Sequence, residues 1–299
     1  MQWNVVGIGE VLWDLLESGP QLGGAPANFA YHAHALGAAA QVITRVGSDD
    51  LGREIVGRFR QMGLPDATVQ IDDAAPTGTA TVALTGDGLA HFTIQENVAW
   101  DRVALTSGVV AAAKQADAVC FGCLAQRCTL SRNTIQELLR ATPDTALRVF
   151  DINLRQRFFS QEVIESSLRL ANVLKLNDDE LPTVAGMFDL RGSVRDEIEQ
   201  IAEAFGLQVV ALTRGANGSL LFQATGGRWS ECSSHPVTVV DTVGAGDSFT
   251  AALVLGLLHR MDLDAINEIA NEVARYVCSQ PGATPPMPPE FASRFRRTS

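Results

Sequence analysis

Residues 241–249 read Asp-Thr-Val-Gly-Ala-Gly-Asp-Ser-Phe and place a carboxylate directly after a glycine turn, a pattern suited to anion binding and proton transfer. A β-branched run precedes them at residues 237–240, and an apolar stretch of helical length follows them up to Leu258. This order predicts a strand, a glycine turn and the start of a helix. Glycines let successive backbone N–H groups point the same way, and a helix N-terminus adds partial positive charge. The turn is therefore a predicted anion site.

Asp247 lies beside this predicted anion site. A carboxylate is out of place next to a bound anion unless it takes up a proton during the reaction, so Asp247 is a candidate general base. The residues alone also allow an ordinary helix N-cap, because Asp caps helices well and glycine is common in turns. Taken as a whole, the stretch favours a phosphoryl-transfer site over a simple cap.

Residues 241–249 resemble the signature of the ribokinase-like (PfkB-type) carbohydrate kinase family. The resemblance implies that Asp247 deprotonates a sugar hydroxyl and that the amides of Gly244, Ala245 and Gly246 form the anion hole for the transferred phosphoryl group. A second stretch, residues 23–28, reads Gly-Gly-Ala-Pro-Ala-Asn and resembles bacterial fructokinases in particular, whereas ribokinases tend to carry a lysine after the glycine pair.

The resemblance also implies a set of sugar-binding residues: Asp14, Gly23, Gly24, Asn28, Asn97, Asn153 and Asp247. A carboxylate accepts hydrogen bonds from two vicinal hydroxyls, and an Asn side chain offers both a donor and an acceptor. From spacing alone, Asp14 could equally be a solvent-facing strand residue, and residues 23–28 a loop with a helix cap.

A D-x-N-x-R stretch, residues 151–155, follows a predicted strand, at the edge where open α/β sheets hold ligands. Family members carry the same stretch near the phosphate path or the sugar. Arg155 is therefore expected to assist catalysis, although it could equally pair with a surface carboxylate.

For the nucleotide, the resemblance implies contacts from Asn177, Thr213, Gly215, Gly218, Gly244, Gly246 and Asn271. Glu180, in an N-x-x-E stretch, is expected to help hold Mg²⁺ through water, and Mg²⁺ does keep several waters in such sites. The alternative for residues 178–180 is an acidic helix N-terminus favoured by the helix dipole. Asp241, Thr242 and Gly282 match the segments that bind a monovalent cation in many relatives, so the expected cofactors are ATP and Mg²⁺, with K⁺ left open.

Strand and helix patterns alternate from residue 116 onward, which predicts a parallel, doubly wound sheet. With the resemblance, the expected fold is an α/β, ribokinase-like three-layer α/β/α domain with a mostly parallel central sheet and a small β-sheet lid. One such domain is expected over residues 1–299, with the lid at about 10–17 and 79–95. A small sheet with one apolar face often pairs with a second copy, so a homodimer through the lid is expected.

The composition, 46% hydrophobic and 19% charged residues over 299 positions, is that of a globular protein. A formal net charge of −11 argues against a nucleic-acid or anionic-membrane surface. Neither a membrane-length apolar run nor a leader is recognised, so a cytoplasmic location is expected.

Cys120 and Cys123 have C-x-x-C spacing, but without a second pair or a nearby histidine they are interpreted as reduced structural cysteines.

These observations predict an ATP-dependent sugar kinase that phosphorylates a primary hydroxyl, with fructose as the favoured acceptor. Ribose, 2-keto-3-deoxygluconate, another sugar or a nucleoside such as adenosine are the alternatives within the class. A non-catalytic sugar- or nucleotide-binding regulator is a further alternative, which the retained Asp247 disfavours. A dinucleotide-dependent oxidoreductase is disfavoured because the Gly7-Ile8-Gly9 stretch lacks the third glycine of that fingerprint.

Overall fold

The computed structural model describes residues 2–16, 19–84, 90–233 and 235–295. The strands are β1 (Asn4–Ile8), β2 (Leu12–Leu16), β3 (Gly19–Gly23), β4 (Ala39–Gly47), β5 (Val69–Asp72), β6 (Gly78–Leu84), β7 (Ala90–Ile94), β8 (Ala118–Phe121), β9 (Leu147–Asp151), β10 (Val173–Asn177), β11 (Val209–Thr213), β12 (Ser219–Gln223) and β13 (Arg228–Cys232). The helices are α1 (Ala25–Ala35), α2 (Asp50–Gln61), α3 (Ser107–Lys114), α4 (Thr129–Ala141), α5 (Gln161–Leu170), α6 (Leu181–Met187), α7 (Val194–Phe205), α8 (Ala245–Leu258), α9 (Leu263–Cys278) and α10 (Pro289–Ser293).

Within these residues, nine strands form a large sheet in the order β13-β12-β11-β10-β9-β8-β1-β4-β5. The strands from β5 across to β11 run parallel to one another. At the other end of the sheet, β12 pairs antiparallel with β11 and β13 pairs antiparallel with β12. Since parallel strands need long crossover connections, helices cover both faces of this sheet.

Successive residues of the central strands point to opposite faces of the sheet. Val5 and Cys120 pack into one core with α1, α2, α8 and α9, whereas their neighbours Val6 and Phe121 pack into the other with α3, α4, α5 and α7. Near-continuous apolar strands are required because both faces are buried. The predicted three-layer α/β/α class with a mostly parallel sheet is confirmed.

Four further strands of the described chain form a small separate sheet in the order β3-β2-β6-β7. Strands β2, β6 and β7 lie within or beside the segments predicted for the lid, whereas β3 was not predicted. Gly19 and Pro20 are poor strand formers, so β3 depends on its antiparallel pairing with β2. Glu17 and the predicted turn at residues 86–88 lie outside the described residues.

The strand predicted at residues 237–240 is wrong. Val237, Val239 and Val240 are exposed. The Val240 amide donates its hydrogen bond to the carbonyl of Cys278 at the end of α9, not to a neighbouring strand. β-branched residues favour strands, but a strand also needs a neighbouring strand to pair with. Among the described residues the large sheet ends at β13, which pairs with β12, and residues 237–240 do not extend it.

Over the described residues, no helix combines the length and the apolar character needed to cross a membrane.

Candidate active site

The glycine turn opens α8 at the edge of the large sheet where the parallel strands end. Gly244 caps the helix with a φ of 80°, and a Cβ built on it would lie 2.8 Å from Cα of Ala283. Both the backbone angle and the lack of space therefore require glycine. The Ala245 amide donates to the Thr242 carbonyl at 3.3 Å. The first-turn amides of a helix lack intrahelical partners, so those of Gly246 and Asp247 are available to an anion.

Asp247 lies in the first turn of α8, and its Oδ2 accepts a hydrogen bond from Nδ2 of Asn28 at 2.9 Å. Burial and the nearby carboxylate of Asp151 raise the pKa of Asp247 to about 6, while Asn28, Lys175 and Arg155 act in the opposite direction. A carboxyl with this pKa is mostly ionised at neutral pH and can still accept a proton.

A buried ion pair lies behind Asp247. Nζ of Lys175 on β10 donates to Oδ1 of Asp151 on β9 at 3.0 Å, and both side chains are more than nine-tenths buried. Oδ2 of Asp151 accepts a hydrogen bond from the Thr250 hydroxyl of α8 at 2.9 Å. The pair therefore connects two strands of the sheet to the helix that carries Asp247.

Glu10 follows β1 and is 3% exposed. Burial raises its pKa to about 7, against the opposing effect of Arg155, and the charge of Asp247 raises it further. Its Oε2 atom is buried and has no hydrogen-bond partner among the described residues. The backbone carbonyl of Glu10 abuts Gly24, and the Ala25 backbone amide, which follows the glycine pair, acts to lower the pKa of the Glu10 carboxyl.

The predicted sugar-binding residues at the start of the chain lie together. Gly23 pairs with Leu12 across the β2–β3 hairpin, and the Asp14 side chain lies so close that any Cβ at position 23 would meet the Asp14 carboxylate. Gly24 has a φ of 115°, and a Cβ there would lie 2.9 Å from Cα of Val11. Burial raises the pKa of Asp14, and Arg155 opposes this rise. The glycine pair therefore lets the backbone pass close to Asp14 and Glu10.

The other polar residues predicted for the sugar lie on connecting loops. Asn153 has a φ of 48° and lies between Asp151 and the exposed Arg155, whose Nη1 donates to the Leu154 carbonyl. Asn97 has a φ of 59° and lines an open cavity of about 700 Å³ with Arg127, Arg157 and Phe158 among others. Asp247 is not among the described residues that line this cavity.

The predicted nucleotide-binding residues follow β11 and lie on α9. Thr213 ends β11, and Gly215 and Gly218 both have positive φ in the turn that leads to β12. The Asn271 side-chain amide donates to the Ser219 hydroxyl at 2.6 Å and to the Asn267 carbonyl at 2.8 Å. These contacts fix Asn271 against the first residue of β12.

Glu180 is buried after β10, and both carboxylate oxygens accept backbone hydrogen bonds at 2.8 Å, one from Leu154 and one from Asn177. The Asn177 side chain in turn accepts from the Asp179 and Glu180 amides. Burial raises the pKa of Glu180, and Lys175 opposes this rise. The Glu180 carboxylate is held in one orientation, with a lone pair left on each oxygen for a water molecule.

The segments predicted to bind a monovalent cation also lie side by side. The Asp241 carboxylate accepts a hydrogen bond from the Val243 amide at 3.0 Å and one from the Gly282 amide at 3.1 Å. The fully buried His32 of α1 lies against the next residue, with Nε2 2.9 Å from the Ala283 carbonyl oxygen. Because a carbonyl only accepts, this nitrogen carries the proton.

Sequence reasoning did not single out Lys175, Glu10, Thr250 or His32. One signal was available, since Lys175 is a charge inside the otherwise apolar run of β10, and a buried charge needs a partner.

Cys120 and Cys123 are free thiols, and burial raises the pKa of both. Their interpretation as reduced, buried cysteines agrees with this structure.

The model of the pfkB family of carbohydrate kinases matches residues 19–290 of the chain. The chain belongs to this family. Its catalytic class follows from that membership and from relatives that match over most of their length: it is an ATP-dependent carbohydrate kinase. The resemblance seen in residues 241–249 and 23–28 is therefore confirmed.

Among the family members similar to this chain, a fructokinase of Salmonella typhimurium is 30% identical over 84% of this chain and 83% of its own. An uncharacterized sugar kinase of Pyrococcus horikoshii is 28% identical over 93% of this chain and 91% of its own. The structure of that kinase in complex with ATP covers 98% of this chain and 100% of its own with a TM-score of 0.80 at 25% identity. A double mutant of the Vibrio cholerae fructokinase, bound to fructose, ADP and a potassium ion, gives a TM-score of 0.80 at 22% identity and covers 98% of both chains.

Proposed function

We propose that this sugar kinase is a fructokinase, which transfers the γ-phosphate of ATP to a primary hydroxyl of fructose. The observation that carries the proposal is the hydrogen bond between Asn28 and Asp247, because it joins the fructokinase-like stretch to the candidate base. The fructokinase relatives support fructose as the acceptor.

In this proposal Asp247, ionised at neutral pH, takes the proton of the sugar hydroxyl as the hydroxyl oxygen attacks the γ-phosphate in line. The negative charge of the transferred group is stabilised by the amides of Gly244, Ala245 and Gly246 and by the N-terminus of α8. Arg155 adds positive charge from the loop after β9.

In this proposal the sugar is bound by residues of the small sheet, of α1 and of two loops. Asp14 accepts hydrogen bonds from sugar hydroxyls, Gly23 and Gly24 let the backbone approach the ring, and Asn28 orients both Asp247 and the sugar. Asn153 and Asn97 complete the set from their loops.

The nucleotide is proposed to lie along the turn after β11, with Thr213, Gly215 and Gly218 near its phosphates and ribose, Asn177 near the phosphates and Asn271 near the adenine. Bound Mg²⁺ would neutralise phosphate charge. The fixed carboxylate of Glu180 fits this ion through water, since Mg²⁺ keeps much of its hydration shell.

A monovalent cation such as K⁺ fits the place where the Asp241 carboxylate joins its own loop, which includes Thr242, to the loop of Gly282. The potassium-bound Vibrio cholerae relative supports this assignment.

The chain is proposed to work as a single kinase domain, with the small sheet as a lid over the sugar. A homodimer formed through the small sheets of two copies is part of the same proposal. The cytoplasmic location stays a prediction.

The test is ADP release with Mg-ATP against fructose, ribose, 2-keto-3-deoxygluconate, tagatose and adenosine, with and without K⁺. We expect the highest kcat/KM with fructose, and more with K⁺ than without. A higher kcat/KM with another acceptor keeps the mechanism and overturns the assignment of fructose. Silence with every acceptor, in a folded protein that binds ATP, overturns the proposed function.

A further inference from the structure

Lys175 is a buried cation placed against the start of α8. A Cβ built on Gly246 would lie 3.1 Å from Nζ of Lys175, so the ammonium group lies next to the first turn of the helix. Lys175 is itself 5% exposed, on a strand whose preceding residues are fully buried and apolar. Its charge therefore acts on the glycine turn with little screening by water.

The position of this ammonium group is fixed through Asp151. Asp151 on the neighbouring strand accepts its hydrogen bond at 3.0 Å, and Thr250 on α8 donates to the other oxygen of the same carboxylate at 2.9 Å. Thr250 lies one helical turn after Gly246, and its hydroxyl is also 2.9 Å from the Gly246 carbonyl oxygen. Hydrogen bonds thus link Thr250 to Asp151 and Asp151 to Lys175, and they hold the charge of Lys175 at a fixed position relative to α8.

Burial acts to lower the pKa of Lys175, but the carboxylates of Asp151, Glu180 and Asp247 together outweigh burial and raise it above its ordinary value. The group is charged at neutral pH. The charged and titratable groups that face Asp247 are Asp151, Glu10, Lys175, Arg155 and the Cys120 thiol. Of the two cations, Arg155 is exposed on a loop, and Lys175 is buried and fixed.

Stability alone does not account for a lysine here. Replacing a buried ion pair with apolar residues of similar volume is often neutral or stabilising. Of the 23 lysine and arginine residues of the chain, only Lys114 and Lys175 are lysines. A compact ammonium group fits beside Gly246, where a planar guanidinium group would need more space.

We propose that Lys175 is a positioning residue for phosphoryl transfer: acting through Asp247 and the first amides of α8, it keeps the base ionised and adds positive charge to the anion site. This inference rests on the proposed role of Asp247 and is independent of which sugar is the acceptor.

The first test compares Lys175→Met, which keeps a similar length and removes the charge, with Lys114→Met on the exposed side of α3. For Lys175→Met we expect kcat to fall about 100-fold, the loss typical of one anion-hole donor. The acid limb of its kcat/KM profile should move to higher pH, because Asp247 loses the charge that favours its ionised form. Lys114→Met should match the unmodified protein. A folded Lys175→Met variant with an unmoved acid limb and kcat within about threefold overturns the proposal.

The second test keeps Lys175 in place and needs no turnover, so it separates this inference from a failure of the proposed function. With ¹³C at the lysine ε-carbons, the spectrum holds two ε signals, and Lys114→Arg assigns them. The Lys175 signal should shift in a step near pH 6, where Asp247 titrates, and Asp247→Asn should remove the step. Absence of the step, or a step that persists in Asp247→Asn, overturns the proposal.

Discussion

The side-chain amide of Asn28 donates a hydrogen bond to Oδ2 of Asp247 at 2.9 Å, although the two residues are 219 positions apart. Asn28 lies on α1 and Asp247 on α8, and both helices pack on the same face of the large sheet. The two stretches that resemble the family therefore meet in one hydrogen bond, and the orientation of the candidate base depends on the residue predicted to bind sugar.

Asn28→Ala should move the acid limb of kcat/KM upward by about one pH unit. A hydrogen bond to a charged group contributes roughly 1.5 kcal/mol or more, and one pH unit corresponds to about 1.4 kcal/mol. The KM for the sugar should also rise. The pH profile of the variant is compared with that of Asn133→Ala on the exposed side of α4. An acid limb that stays in place would show that Asn28 does not act on Asp247.

Gly244→Ala should destabilise the protein and abolish activity. The position has a φ of 80°, and the new methyl group would meet the backbone of Ala283. The left-handed conformation alone costs about 1–2 kcal/mol for a residue with a Cβ. Denaturant unfolding measures the loss. The control is Gly57→Ala on α2, where a Cβ meets nothing within 4 Å, so this variant should be as stable as the unmodified protein or more so. Equal stability of the two variants would contradict the account of the turn.

His32 should make the protein less stable as the pH falls from about 6.5 to about 4. Burial lowers its pKa to about 4, so in that window the unfolded chain binds a proton that the folded chain does not. The free energy of unfolding should fall by roughly 3 kcal/mol across the window, at about 1.4 kcal/mol per pH unit. His32→Gln should remove this part of the slope, and His34→Gln should retain it. The same slope in both variants would exclude His32 as its source.

Glu10 should have the opposite effect on stability. Burial raises its pKa to about 7, so between about 4.5 and 7 the folded chain holds a proton that the unfolded chain has lost, and stability falls as the pH rises. The free energy of unfolding of Glu10→Gln, measured relative to that of the unmodified protein, should therefore be higher at pH 8 than at pH 4. Chemical denaturation at both pH values tests this, with the exposed Glu54→Gln as control. A difference that does not change with pH would contradict the burial of an ionisable group here.

The sequence was sufficient to predict the glycine turn, the start of α8 and the alternation of strands and helices, because each has a local pattern. The run at residues 237–240 was misleading, since its β-branched residues favour a strand but no strand among the described residues pairs with it. Strand β3 was missed for the converse reason, because pairing with β2 overrides the low strand propensity of Gly19 and Pro20.

The charges that surround Asp247 could not be placed from local patterns. Glu10 follows β1, Asp151 ends β9 and Lys175 lies within β10, and only the order of the strands brings them to one edge of the sheet. Thr250 reads in the sequence as one polar residue in an apolar helix. Its role depends on a hydrogen bond to Asp151 that spans 99 positions.

The assignment of Asp247 as the base is tested by the substitution Asp247→Asn. Turnover is measured as ADP release with the best acceptor of the panel, and ATP affinity is measured by titration calorimetry on the same preparation. We expect turnover to be abolished while ATP binding is largely unchanged, because the amides of residues 244–246 remain in place. Turnover comparable to that of the unmodified protein would contradict the assignment.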